Sequence, residues 1–181
     1  MSAHCDCAIV APNRRALLVG LSCAAISRSA AQAQMGAASA DDVRFMRMAL
    51  DEARQADFPF GAVIVRDGSV IARGRNLGRT TDDPTAHGEM VAIRRCVADH
   101  GSAALRGSTL YTSGEPCAMC MGALLWSRVG RLVFAASVAQ LATHIDQIMI
   151  SSTELAAKAP VVPIAITGGV LADEAMALFA K

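Results

Sequence analysis

Apolar residues along this chain change their spacing several times, and each change marks an element. Val43, Met46, Leu50 and Ala53 recur at helical intervals behind Ser39 and Asp42, which have the spacing of a helix cap. The pattern predicts a first helix from about Asp41 to Ala56. Gly61 to Val65 is an apolar run of strand length, Asp67-Gly68 is a hairpin turn signal, and Val70 to Arg75 is the returning strand. Asn76 to Pro84 is polar and contains Gly78, Asp82 and Asp83, the composition of a loop. A helix is predicted from about Ala86 to His100, stopped by Gly101. A third strand follows over Ser108 to Thr112, then a turn at Gly114-Glu115-Pro116 and an Ala-, Met- and Leu-rich helix over Cys117 to Ser127. Arg131 to Ala136 and Ile164 to Thr167 read as the fourth and fifth strands, and Asp173 to Ala180 as a closing helix. A hairpin followed by alternating helices and strands predicts the α/β class, a mixed sheet with helices on both faces.

Residues 1–34 stand outside this alternation. Asn13-Arg14-Arg15-Ala16-Leu17-Leu18 resembles a twin-arginine export signal, although Asn13 replaces the usual hydroxyl residue and Leu17 a common phenylalanine. An apolar stretch from Ala16 to Ile26 follows, and Ala31-Gln32-Ala33 has the small residues of a cleavage site. The expected organisation is a signal peptide over 1–34, a single domain over 35–181 and a periplasmic product. The alternatives are a cytoplasmic extension and a translation start at Met35. No apolar run after Met35 is long enough to span a bilayer, so the mature chain is not expected in the membrane.

Charge narrows the partners. The net charge is +1, and Arg14, Arg15 and Arg28 against Asp6 leave the rest of the chain nearly neutral with a slight acidic excess. A nucleic-acid binder normally shows a broad basic footprint, so a polyanionic partner is disfavoured. Of the six cysteines, Cys5, Cys7 and Cys23 lie in the first segment and Cys96, Cys117 and Cys120 in the body, which implies no disulfide framework.

The candidate chemistry lies in His87-Gly88-Glu89 and Pro116-Cys117-Ala118-Met119-Cys120. One imidazole and two thiols are ligands that zinc prefers, and three protein ligands leave the fourth position open, as in catalytic rather than structural sites. Both groups fall at predicted helix starts, with Cys117 and Cys120 on one face of a first turn, where the free N–H groups favour thiolate. Glu89, two residues from the imidazole, is the candidate proton carrier. A four-ligand zinc staple within a binding module is the non-enzymatic alternative. Its fourth ligand would be Cys96 or His100, and Cys96 is already more than two helical turns beyond His87. H-x-E joined to P-C-x-x-C is the signature of the zinc deaminases.

From about Asp42 onward the chain resembles the cytidine/deoxycytidylate deaminase superfamily in its purine-acting branch. The resemblance rests on Phe58-Pro59-Phe60-Gly61-Ala62-Val63-Ile64-Val65, Asp83-Pro84-Thr85-Ala86-His87-Gly88-Glu89 and Leu110-Tyr111-Thr112-Ser113-Gly114-Glu115-Pro116-Cys117. These look like bacterial guanine deaminases, and tRNA adenosine deaminases share much of them. Gly88 and Gly114 depart from the usual residues without touching the ligand set. The resemblance implies a cytidine deaminase-like fold, a three-layer α/β/α sandwich with a mixed central sheet, usually a homodimer. It also implies zinc held by His87, Cys117 and Cys120, and Glu89 as the catalytic residue. Asn76, Phe60 and Trp126 become expected base-pocket residues, with His144 and Asp146 in the loop where guanine deaminases place a carboxylate. The implied reaction is hydrolytic deamination of a small purine base or nucleoside, guanine-type. A tRNA adenosine deaminase is the alternative, but its basic C-terminal helix is replaced here by Asp173-Glu174-Ala175-Met176-Ala177-Leu178-Phe179-Ala180-Lys181.

Overall fold

Asp67 and Gly68 both adopt positive φ, 51° and 73°, the two-residue turn whose twist matches that of paired strands. They join β1 (Gly61–Arg66) to β2 (Ser69–Arg75) as the expected antiparallel hairpin. The computed structural model describes residues 38–160 and 162–180; the expected signal segment, 1–34, lies outside the described residues. Helix α1 (Ala40–Ala53) precedes the hairpin. It is followed by α2 (Gly88–His100), β3 (Thr109–Gly114), α3 (Ala118–Trp126) and β4 (Arg131–Ala136), then α4 (Val138–Leu141), α5 (Ser152–Ala157), β5 (Ala165–Thr167) and α6 (Ala172–Met176).

The five strands form one sheet in the order β2-β1-β3-β4-β5. β1 is antiparallel to both neighbours, whereas β3, β4 and β5 run parallel. Strand side chains alternate between faces. Ala62, Ile64, Leu110 and Leu132 pack with α2, α3 and α5, while Val63, Val65, Tyr111, Val133 and Ala135 pack with α1 and α6. The result is the three-layer α/β/α sandwich, its two cores separated by the sheet. No helix of the described residues is long and apolar enough to cross a membrane.

Several boundaries differ from the sequence expectation. β3 continues to Gly114, into the expected turn, and the expected closing helix is shortened to Ala172–Met176. Helices α4 and α5 were not expected, because four and six residues are too few for an apolar period to show.

One buried carboxylate connects the layers at the N-terminal end of the parallel strands. Asp42 completes a reciprocal cap with Ser39, accepting from its N–H at 3.1 Å while Ser39 Oγ accepts from the Asp42 N–H at 3.0 Å. It also accepts from Arg131 at 2.7 and 3.1 Å and from the Tyr111 hydroxyl at 3.0 Å, joining α1 to β3 and β4. Burial raises the Asp42 pKa, but donation from Arg131, Ser39 and Tyr111 outweighs it and brings the carboxyl to about 2. A carboxyl lowered by folding contributes stability that is present above its unfolded pKa and is lost as pH falls through its folded one. Asp42→Asn is therefore expected to lower the unfolding free energy by about 2 kcal/mol at neutral pH, with the difference vanishing as pH falls from about 4 toward 2. Denaturant titrations of both proteins across that range measure it, and a pH-independent difference would place the effect elsewhere.

Candidate active site

The opposite end of the sheet gathers the chemistry. The start of β1, the end of β2 and the end of β3 meet there, and two helices begin there. His87 is the cap residue of α2 and Cys117 that of α3, both with extended backbone, φ −65° and −62°. Asp83 shapes the approach to His87: it accepts from the Thr85 N–H at 2.8 Å and from the Thr85 hydroxyl at 2.6 Å, and Arg94 of α2 donates to it at 3.2 Å. The Asp-Pro-Thr-Ala-His run is thus a turn pinned to the helix that it begins.

These turns bring His87 Nδ1 to 3.6 Å from both Cys117 Sγ and Cys120 Sγ. The three ligand atoms lie within 4.8 Å of one another, and Cys120 is fully buried. Zinc bonds of about 2.0 Å to nitrogen and 2.3 Å to sulfur, set tetrahedrally, require a nitrogen–sulfur separation of about 3.5 Å. The donors fit zinc in chemistry and in spacing. Cys117 is brought down to about 4, because the Cys120 thiol donates to its sulfur and His87 adds a second hydrogen bond, against the opposing effect of burial. Cys120, the donor of that pair, is pushed up, and His87 is raised by its bond to Cys117. A divalent cation binding there takes the thiolates and the neutral imidazole as ligands and displaces their protons.

Glu89 lies on the first turn of α2 and is only 3% exposed. Burial raises its pKa, and no basic side chain of the described residues bridges it. A buried, unpaired carboxylate is costly and marks a functional rather than a packing role. It faces a cavity of about 460 Å³ shared with His87, Cys117, Phe60 and Asn76. A second concavity of about 540 Å³, around Asp42 and Arg131, lies at the other end of the strands and contains none of the metal donors.

The remaining expected pocket residues divide. Asn76 is buried at the end of β2, its N–H donating to Phe60 O at 2.8 Å. Its Oδ1 accepts from the Gly78 N–H at 3.1 Å, so the amide nitrogen is the polar group this lining residue has left to offer. It therefore offers chiefly a donor. Phe60 forms the wall and packs edge-on against Phe179, with ring centroids 5.4 Å apart. Asp146 lines the cavity, flanked by Ile145 and Ile148. His144 does not line it; its Nδ1 is 2.7 Å from Thr143 Oγ1. Trp126 is not brought to the cavity either. It ends α3, 90% exposed, six residues from Cys120 and so about 240° around the helix from the metal-facing side. Helical spacing from Cys120 already carried that signal. The sequence did not single out Glu115, whose carboxylate is buried at the cavity edge; its place before Pro116-Cys117 was the available clue.

Comparison with known proteins agrees with this geometry. The model of the cytidine and deoxycytidylate deaminase zinc-binding region matches residues 39–136, more than half of the chain. A guanine deaminase of Bacillus subtilis is 51% identical over 78 residues, covering 43% of this chain and 50% of that protein. A tRNA-specific adenosine deaminase of Haemophilus influenzae is 46% identical over 101 residues, 53% of this chain and 58% of that one. The chain thus spans about half the length of these relatives. The solved guanine deaminase of Nitrosomonas europaea superposes with a TM-score of 0.68 at 26% identity, covering 80% of this chain and 84% of that one.

Purified protein is expected to contain about one zinc per chain, with Cys120→Ser or His87→Ala losing most of it. A chelator is expected to lower the melting temperature of the wild type and to leave those variants little changed. Metal analysis with thermal unfolding tests this; full zinc in the Cys120→Ser protein would move the ligands elsewhere.

Proposed function

The chain belongs to the cytidine and deoxycytidylate deaminase family of zinc-binding proteins, and from that footing we propose that it hydrolyses the exocyclic amine of a small purine base or nucleoside, guanine-type, releasing ammonia. The observation that carries this reading is Glu89, a buried unpaired carboxylate beside three zinc-type donors at the floor of a cavity. Zinc, when bound, supplies a Lewis acid that lowers the pKa of a water to about 7. Glu89 takes the proton of the attacking water and passes it to the ring nitrogen beside the amino-bearing carbon. It then takes the remaining hydroxyl proton and delivers it to the amine. The carbon–nitrogen bond breaks, a carbonyl is left in the ring, and ammonia departs.

The walls suit a planar heterocycle. Phe60, Pro84, Ile145 and Ile148 supply apolar surface, the Asn76 amide a donor and Asp146 an acceptor, the few convergent polar groups that orient a small ligand. Among the described residues Arg79 is the one arginine or lysine lining the cavity, and its guanidinium is stacked 4.5 Å over the Phe58 ring. That is little with which to hold a phosphate backbone. The twin-arginine-like segment supports an exported, periplasmic enzyme, where tRNA is not encountered. A homodimer completes the reading, since α3 is apolar all round and leaves Met119 and Trp126 exposed for a second copy to bury.

Glu89→Gln is expected to keep zinc and fold while losing turnover by at least about 10²-fold, because glutamine retains the shape and cannot carry protons. Zinc content and ammonia release measured on the same preparation test it, and more than a tenth of wild-type activity would assign the proton transfers to another group. Among guanine, guanosine, adenine, cytidine and an anticodon stem-loop, a free purine or its nucleoside is expected to react best. Asn76→Ala is then expected to reduce its kcat/KM roughly 5- to 150-fold, the cost of an unpaired base edge. Inosine formed in the stem-loop, with no turnover of free purines, would give the function to the tRNA enzymes.

A further inference from the structure

Glu115 holds a buried carboxylate, 7% exposed, with no basic partner among the described residues. Its two oxygens instead accept two backbone N–H groups from distant segments. Oε2 accepts from Val138 at 2.9 Å and Oε1 from Ser152 at 2.7 Å. Those residues are the first of α4 and of α5. Each helix has its own serine cap, but Ser137 Oγ and Ser151 Oγ serve the third residue of the turn, Gln140 and Glu154. The first N–H of each helix is left without a partner by that arrangement, and Glu115 satisfies both.

The placement gives this double bond a consequence. The Glu115 N–H donates to Ala136 O at 2.7 Å, so its backbone is tied to the end of β4, and two residues later the chain supplies the metal donor Cys117. Between the two anchored helix starts runs the segment bearing Ile145, Asp146 and Ile148, the cavity wall facing the metal donors. One carboxylate thus fixes the metal-bearing turn and both ends of the wall to each other.

We propose that Glu115 is a positioning residue: a two-point clamp that sets the wall 145–148 at its working distance from the metal site, and so governs substrate binding rather than the chemical step. The clamp itself stands on the hydrogen bonds; its effect on binding rests on the deaminase function proposed above. Glu115→Gln keeps the length of the side chain but presents an amide donor to one of the two N–H groups. Glu115→Asp keeps the charge but is too short to reach both.

Hydrogen exchange of the zinc-loaded full chain reads the clamp without reference to substrate. Both variants are expected to exchange about fivefold or more faster over 137–152, with α1 and β1 unchanged and zinc retained. Steady-state kinetics on the best purine of the panel reads the consequence. KM is expected to rise about tenfold, the equivalent of one charge-assisted hydrogen bond, with kcat within about threefold of the wild type. Unchanged exchange over 137–152 would remove the clamp. Faster exchange with an unaltered KM would leave Glu115 a fold element only, and a fall in kcat at constant KM would move it into the chemistry. An aspartate variant that behaves as wild type while glutamine fails would make charge, and not the two-point reach, the cause. If no purine turns over in the wild type, the proposed function fails, and the exchange experiment still decides the clamp.

Discussion

Gly74 has no room for a side chain, and the site depends on that. A Cβ there would collide with the backbone of Gly88 and Ala92, because β2 runs hard against the first turn of α2. That turn carries His87 and Glu89. Gly88 is less tightly confined, with the Phe60 carbonyl 3.0 Å from where its Cβ would be. A methyl at position 74 would therefore push the helix away from the sheet. Since Nδ1 of His87 must lie near 3.6 Å from two sulfurs on a different helix, a lift of even 1 Å would spoil the tetrahedron that zinc needs.

Against that fixed frame, the costs of burial fall where function requires them. The Asp42 carboxylate, at the far end of the strands, is repaid by Arg131, Tyr111 and the Ser39 cap. Glu115 receives two helix-start N–H groups. Glu89 has neither an ion pair nor a backbone donor from another residue. Three buried carboxylates thus have three environments. Glu89, the one of the three that lacks both an ion pair and a donor from a distant backbone segment, lies in the cavity beside the metal donors, the arrangement a proton carrier needs and a structural acid avoids.

Local signals were legible in the sequence and long-range ones were not. The Ser39–Asp42 cap, the Asp67-Gly68 turn and the Gly101 stop are decided by residues within a few positions of each other, and all three appear. The metal ligands were readable because each pair of motifs carries its own spacing. α4 and α5 escaped the apolar period, yet Ser137-x-x-Gln140 and Ser151-x-x-Glu154 are capping boxes that capping logic alone could have found. Trp126 was drawn toward the pocket by resemblance, while its angle on α3 turns it away. The bonds from Asp42 to Arg131 and from Glu115 to Ser152 span 89 and 37 residues, and no local pattern announces them.

The match to the deaminase family ends at Ala136, the last residue of β4 and the carbonyl on which Glu115 rests. The three metal donors His87, Cys117 and Cys120, the buried Glu89, and the Asn76 and Phe60 side of the cavity all lie before that point. The wall 145–148 lies after it. A guanine deaminase and a tRNA-specific adenosine deaminase match this chain at 51% and 46% identity over 78 and 101 residues. The wall is attached to the metal-bearing part at two points, Val138 and Ser152, both through Glu115. Glu115 lies within the matched residues and its carboxylate reaches Ser152, beyond them.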